Sequence, residues 1–232
     1  MLLIACIILG QRMLLETTSF ELYELPFASS FGIYQSPMSN LLFSLYIFAP
    51  IPFILLEFSG IVGELTKGYG KVWIIRAYKK SRLYLKTIGV CAGKLLFIVL
   101  YQTLVFLPFD GKWQPLSGMK KCTVIMTYFL GVLAIVLLQA FFEFWVDVSY
   151  ANVICNLFFA VSLLTGGTLL SQKSTEWLGI VLFPNMMFGK RNGIIPEELI
   201  NIESQYVFVY LGTIIFAVVC LSIIRFQKKD VF

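Results

Sequence analysis

The 232 residues are 59% hydrophobic, 16% aromatic and 13% charged, with a formal net charge of +5 and a mean hydropathy of +0.85. Average soluble domains carry about 25% charged residues, so this chain has too few charges to coat a water-facing surface. The composition excludes a soluble enzyme, a disordered tail and a nucleic-acid module. It points to one all-α polytopic membrane domain covering 1–232.

A bilayer core of about 30 Å needs ~20 apolar residues in a helix. Residues 1–15 are apolar but short, with Gln11 and Arg12 interrupting them, and read as part of a first span whose start lies upstream. Residues 39–59 form a second span, in which Pro50 and Pro52 remove backbone donors and are expected to kink or loosen the helix. Further spans follow at 87–109, 122–144, 149–170 and 205–226, the fifth interrupted by Asn152 and Asn156 and closed by Gly166-Gly167. The total is six.

Between the second and third spans lies the most basic stretch, with Lys67, Lys71, Arg76, Lys79, Lys80, Arg82 and Lys86 against Glu64 alone. Gly68 and Gly70 permit a turn, after which Val72, Ile75 and Lys79 recur near helical spacing and Trp73 adds apolar surface. This reads as a short amphipathic helix at the membrane surface. It either attracts anionic headgroups or docks a cytoplasmic partner. With this stretch and the tail (Arg225, Lys228, Lys229) in the cytoplasm, ten of 18 basic residues lie inside, and eight of 13 acids fall in the opposite loops. The positive-inside rule therefore puts both termini in the cytoplasm.

Ionisable groups at membrane depth are costly and informative. Lys94 sits about two turns into the third span, so its stem reaches back to the headgroups or pairs internally. Gln139 and Glu143 are one turn apart in the fourth span, while Asn152 and Asn156 share a face of the fifth with Ser149. The short connection between these spans predicts that the two polar stripes form a hydrogen-bonded clasp; a transport-path role is the alternative. Near the end of the chain, residues 177–188 form an apolar run too short to cross a bilayer and too apolar for water. Trp177, Phe183 and Pro184 mark it as a re-entrant hairpin broken at the proline, or else a lid over the bundle.

Catalytic chemistry has little to stand on. With no histidine there is no Ser-His or Cys-His pair and no His-rich metal site, so no catalytic or metal residue is assigned. The five cysteines are scattered through apolar runs and read as small core residues rather than a disulfide framework. No GxxxxGK[ST] string is present: Gly89 to Lys94 has the wrong gap, and Gly63–Gly68 continues with Tyr69. Glu143 and Asp147 at a helix end look like solvated termini.

Six spans, the basic loop after the second, the hairpin between the fifth and sixth, and the Arg225-Phe-Gln-Lys-Lys-Asp-Val-Phe232 tail form one combination. It resembles the permease subunits of type-2 ATP-binding-cassette (ABC) exporters, particularly the small Gram-positive ones linked to bacteriocin or lantibiotic export and immunity. Glu64, Arg76 and Lys94 sit where such permeases often carry acid, basic and lysine positions; the basic amphipathic helix that usually precedes their first span is missing here. The resemblance implies a non-enzymatic half-transporter in the cell membrane, paired with itself or a related subunit and exporting a hydrophobic or peptide-like substrate. It also implies a separate ABC ATPase that holds the ATP and Mg, so this chain binds no cofactor. A coupling helix formed around Glu64, Gly70, Val72, Trp73, Ile75, Arg76, Lys79 and Lys80 would meet that ATPase. A competing expectation is a membrane immunity or accessory factor that sequesters a peptide without ATP.

Overall fold

The computed structural model describes residues 1–16, 25, 27, 49–67, 79–106, 116–172, 174–195, 202 and 204–228. Among these the architecture is all-helical, with no strand. The elements are α1 (Leu2–Glu16), α2 (Pro50–Glu57), α3 (Ile61–Lys67), α4 (Lys80–Phe106), α5 (Gly118–Phe142), α6 (Val148–Ser171), α7 (Glu176–Val181), a 3-10 turn (Phe183–Met187) and α8 (Ser204–Lys228).

Four helices, α4, α5, α6 and α8, are long and apolar enough to cross a membrane. At 1.5 Å per residue the 25 residues of α5 span about 37 Å, more than a hydrocarbon core of about 30 Å. Of these helices α5 is the central one. Val132, Leu133, Ala134, Ile135, Val136 and Leu137 are buried in succession, which requires neighbours on every side. It packs against α8, α4, α6 and the 3-10 turn, and more lightly against α2. The other long helices turn apolar side chains outward: Phe97, Leu100 and Leu104 on α4, Val153, Leu157 and Leu164 on α6, Val209, Phe216 and Leu221 on α8. Outward rows of this kind suit a lipid surround rather than water.

Helix boundaries depart from the sequence reading at the start of the third span and the end of the fifth. The third span begins at Lys80 rather than residue 87, because the cationic first turns continue the helix instead of belonging to the preceding loop. The fifth runs through Gly166-Gly167 to Ser171, held by packing that outweighs the low helix propensity of glycine. The first helix, α1, matches the expected 1–15 within a residue and is apolar but short; of the expected second span, residues 39–48 lie outside the described residues, and 50–57 form the apolar α2. Pro50 and Pro52 fall in the first turn of α2, where a missing N–H costs no bond within that helix.

Residues 174–195 do not form a loose loop. The helix α7 breaks at Leu182 and hands over to the 3-10 turn, with Pro184 in its first positions. Phe183, Asn185, Met186, Met187 and Phe188 are all buried, while Trp177 on α7 stays largely exposed. The turn lies against α5 and α6, with Phe158 and Phe183 rings 5.4 Å apart.

Candidate functional site

The chain reverses between α2 and α3 at Gly60, whose φ of +84° is a conformation that side chains other than glycine rarely adopt. Ser59 Oγ donates to Leu56 O at 2.6 Å, closing the end of α2. The start of α3 then presents backbone N–H groups with no partner inside the helix. A residue distant in sequence satisfies them. The Glu143 carboxylate accepts Gly60 N–H at 2.8 Å through Oε1 and Val62 N–H at 3.1 Å through Oε2. Negative charge at a helix N-terminus is also favoured by the helix dipole.

Glu143 occupies the C-terminal cap of α5 and is buried. One turn back, Gln139 Nε2 donates to Leu55 O at 3.1 Å, so two successive polar groups on one face of α5 hold the α2–α3 reversal. The expected clasp between this pair and Asn152 with Asn156 is not formed. Asn156 Nδ2 instead donates within α6, to Asn152 O at 3.0 Å and Asn152 Oδ1 at 2.8 Å. The physical reason is that the peptide groups at the reversal need acceptors and donors of their own, and α5 offers both. Nor is Glu143 a solvated terminus.

Apolar packing surrounds the carboxylate. Val62 and Leu65 of α3, Leu83 and Tyr84 of α4, Ala140 and Phe144 at the end of α5, and Phe226 of α8 form a second core distinct from the main one. The rings of Tyr84, Phe144 and Phe226 lie 5.7–6.2 Å apart in tilted pairs. At the rim, the Arg225 guanidinium stands 4.1 Å from the Trp145 ring, and Lys80 Nζ donates to Gln227 O at 3.3 Å. The ends of four helices therefore meet at α3.

The expected coupling residues fall partly within this region. Glu64 lies on α3, Lys79 immediately precedes α4, and Lys80 opens α4 as part of the long helix rather than a separate amphipathic one. Gly70, Val72, Trp73, Ile75 and Arg76 lie outside the described residues. Lys94, fourteen positions after Lys80, is exposed on the outer face of α4 and makes no hydrogen bond or ion pair among the described residues.

A second polar constellation, which sequence reasoning missed, lies at the opposite end of the helices. Arg191 is fully buried; its Nη1 donates to Asn185 Oδ1 at 2.7 Å and its Nη2 to Leu163 O at 2.8 Å. Asn185 Nδ2 donates to Gly179 O at 2.9 Å. Asn192 Nδ2 donates to Met186 O at 3.0 Å and to Thr127 Oγ1 at 3.3 Å, while its Oδ1 accepts Ile194 N–H. Together they stitch the segment 174–195 to α5 and α6. Gly166 and Gly131 make the approach feasible: a Cβ on Gly166 would overlap Asn185 Oδ1, and one on Gly131 would overlap Met187. The available signal was local, since Lys190 to Asn192 is flanked by apolar runs on both sides, as an enclosed polar group would be.

None of the five cysteines forms a disulfide, and Cys91 and Cys155 are buried in the helix core. Among the described residues no group of three or more Cys, Asp or Glu is placed to hold a metal ion.

Four helices long and apolar enough to cross a membrane, with apolar side chains turned outward, suit a membrane location. Over residues 2–232 the chain matches the family described as "Protein of unknown function (DUF2705)", and it belongs to that family. No curated protein and no solved structure matches it.

Proposed function

We propose that this chain is the membrane-spanning subunit of an exporter for a hydrophobic or peptide-like substrate, driven by ATP hydrolysed on a separate ABC ATPase. The observation supporting it most strongly is the Glu143 junction. The short helix α3 heads the most basic stretch of the sequence and is fastened by a buried carboxylate and three aromatic rings to the ends of α4, α5 and α8. A push received by that stretch would pass into rigid helices rather than dissipate in a loop, which is what an externally powered membrane subunit needs.

In this reading residues 61–86 and both termini face the cytoplasm, by the positive-inside rule. Six spans cross the bilayer, α1 and the region ending in α2 supplying the first two. The α7–turn segment enters the bundle from the outer side. A second permease subunit, identical or related, completes the path, and ATP with Mg resides on the ATPase.

The test is co-purification. A tagged chain expressed with its genomic neighbours should retain an ATPase carrying GxxxxGK[ST], and scrambling residues 70–82 should release it. Retention of the ATPase after scrambling removes the coupling assignment. Absence of any ATPase favours the non-transporting immunity or accessory factor. Cysteine labelling of positions 67–82 from the cell exterior would overturn the orientation and the mechanism with it.

A further inference from the structure

A cavity of about 420 Å³ opens between α7, the 3-10 turn and the start of α8. This is within the usual range for small-molecule sites, about 300–1,000 Å³. Ile180, Met186 and Val207 give it an apolar lining. Against them stand three groups of different chemistry, Glu176, Tyr206 and Tyr210. The Tyr210 hydroxyl donates to Ile180 O at 2.8 Å, which fixes its ring against α7 before any ligand arrives. Glu176, at the first position of α7, is half-buried, and among the described residues no lysine or arginine pairs with it.

We infer that this cavity binds an organic monocation with an apolar body, the charged head held by Glu176 and the Tyr206 and Tyr210 rings. A carboxylate partly withdrawn from water gains from a counter-charge, and aromatic faces attract desolvated cations. The apolar lining accommodates the remainder of the molecule. A lipid tail would use that lining but leave the carboxylate without a partner. The inference stands on the cavity and is independent of ATP coupling or membrane orientation.

The experiment uses the full chain in phosphatidylcholine nanodiscs, with radiolabelled tetraphenylphosphonium as probe and empty nanodiscs as blank. Saturable binding is expected, displaced by phenylbutyltrimethylammonium and not by 4-phenylbutanol. Glu176→Gln, which keeps size and polarity, should raise Kd about tenfold, the loss of one charge-assisted contact. Tyr206→Leu should weaken binding by a smaller factor. Non-saturable uptake, an unchanged Kd in Glu176→Gln, or equal displacement by the neutral alcohol would each overturn the inference, the last marking the groove as a seat for lipid chains. The competition between charged and neutral displacers uses the unaltered protein, so it decides even if a variant misfolds.

Discussion

Glu143 reaches 83 residues back along the chain to accept the N–H of Gly60 at 2.8 Å, and the same carboxylate takes the N–H of Val62. One side chain thereby ends α5 and begins α3. Removing it in Glu143→Ala leaves two peptide donors at a buried reversal without their acceptor, at a cost of about 1–3 kcal/mol. Glu143→Gln retains one acceptor oxygen and should lose roughly half as much. Thermal unfolding of the purified protein in detergent should rank wild type above Glu143→Gln above Glu143→Ala. Equal melting of all three would mean that α3 does not depend on this carboxylate.

Gly60 separates backbone strain from crowding. Its φ of +84° is unfavourable for any residue with a Cβ, yet no atom lies within 4 Å of where that Cβ would stand. Gly60→Ala should therefore destabilise by about 1–2 kcal/mol through conformation alone. Gly63→Ala, also with open space and with no left-handed φ, should be neutral or slightly stabilising because alanine favours helix. The pair of melting temperatures checks this, and similar losses at both positions would refute it.

Composition and apolar run length made the four long apolar helices legible, because few other elements consume about twenty apolar residues in a row. Their ends were less so. Lys80, Arg82 and Lys86 read as loop since charge was counted against a span, but the helix runs on through them from Lys80. Gly166-Gly167 read as a stop, where the close approach of Asn185 gives the first of these glycines a packing role instead. The polar residues Gln139, Glu143, Asn152 and Asn156 were all visible as exceptional. Their partners were not, because hydropathy identifies what is costly to bury and says nothing about which helix stands beside it. Arg191 lies outside all six expected spans, and its partners were hidden for the same reason.

Arg191 bridges Asn185 to the carbonyl of Leu163 with the two ends of its guanidinium fork. A lysine carries the same charge on a single point and cannot span both acceptors. Arg191→Lys should lower stability measurably. Arg191→Ala, which also vacates a large buried volume and leaves Asn185 Oδ1 without its donor, should do so by about 2–5 kcal/mol. Limited proteolysis provides the local readout: cleavage within 174–195 should accelerate in both variants ahead of cleavage elsewhere. Unchanged protection in Arg191→Ala would show that apolar packing of Phe183 to Phe188 suffices to hold the segment.

Gly166 and Gly131 both receive the 174–195 segment, and they differ in what a methyl group would strike. At Gly166 it meets Asn185 Oδ1 and stands 2.6 Å from Arg191 Nη1, two groups already committed to buried hydrogen bonds. At Gly131 it meets the side chain of Met187, which has three rotatable bonds and adapts readily. Overpacking usually costs about 1–3 kcal/mol; Gly166→Ala should lie at the upper end or beyond, since relief there breaks the Arg191–Asn185 contact, and Gly131→Ala at the lower end. A Gly166→Ala, Arg191→Ala double variant should then lose less than the two single losses combined, because the second change removes part of what the first one strikes. Additive losses in thermal melts would mean that the methyl group and the guanidinium act on separate parts of the fold.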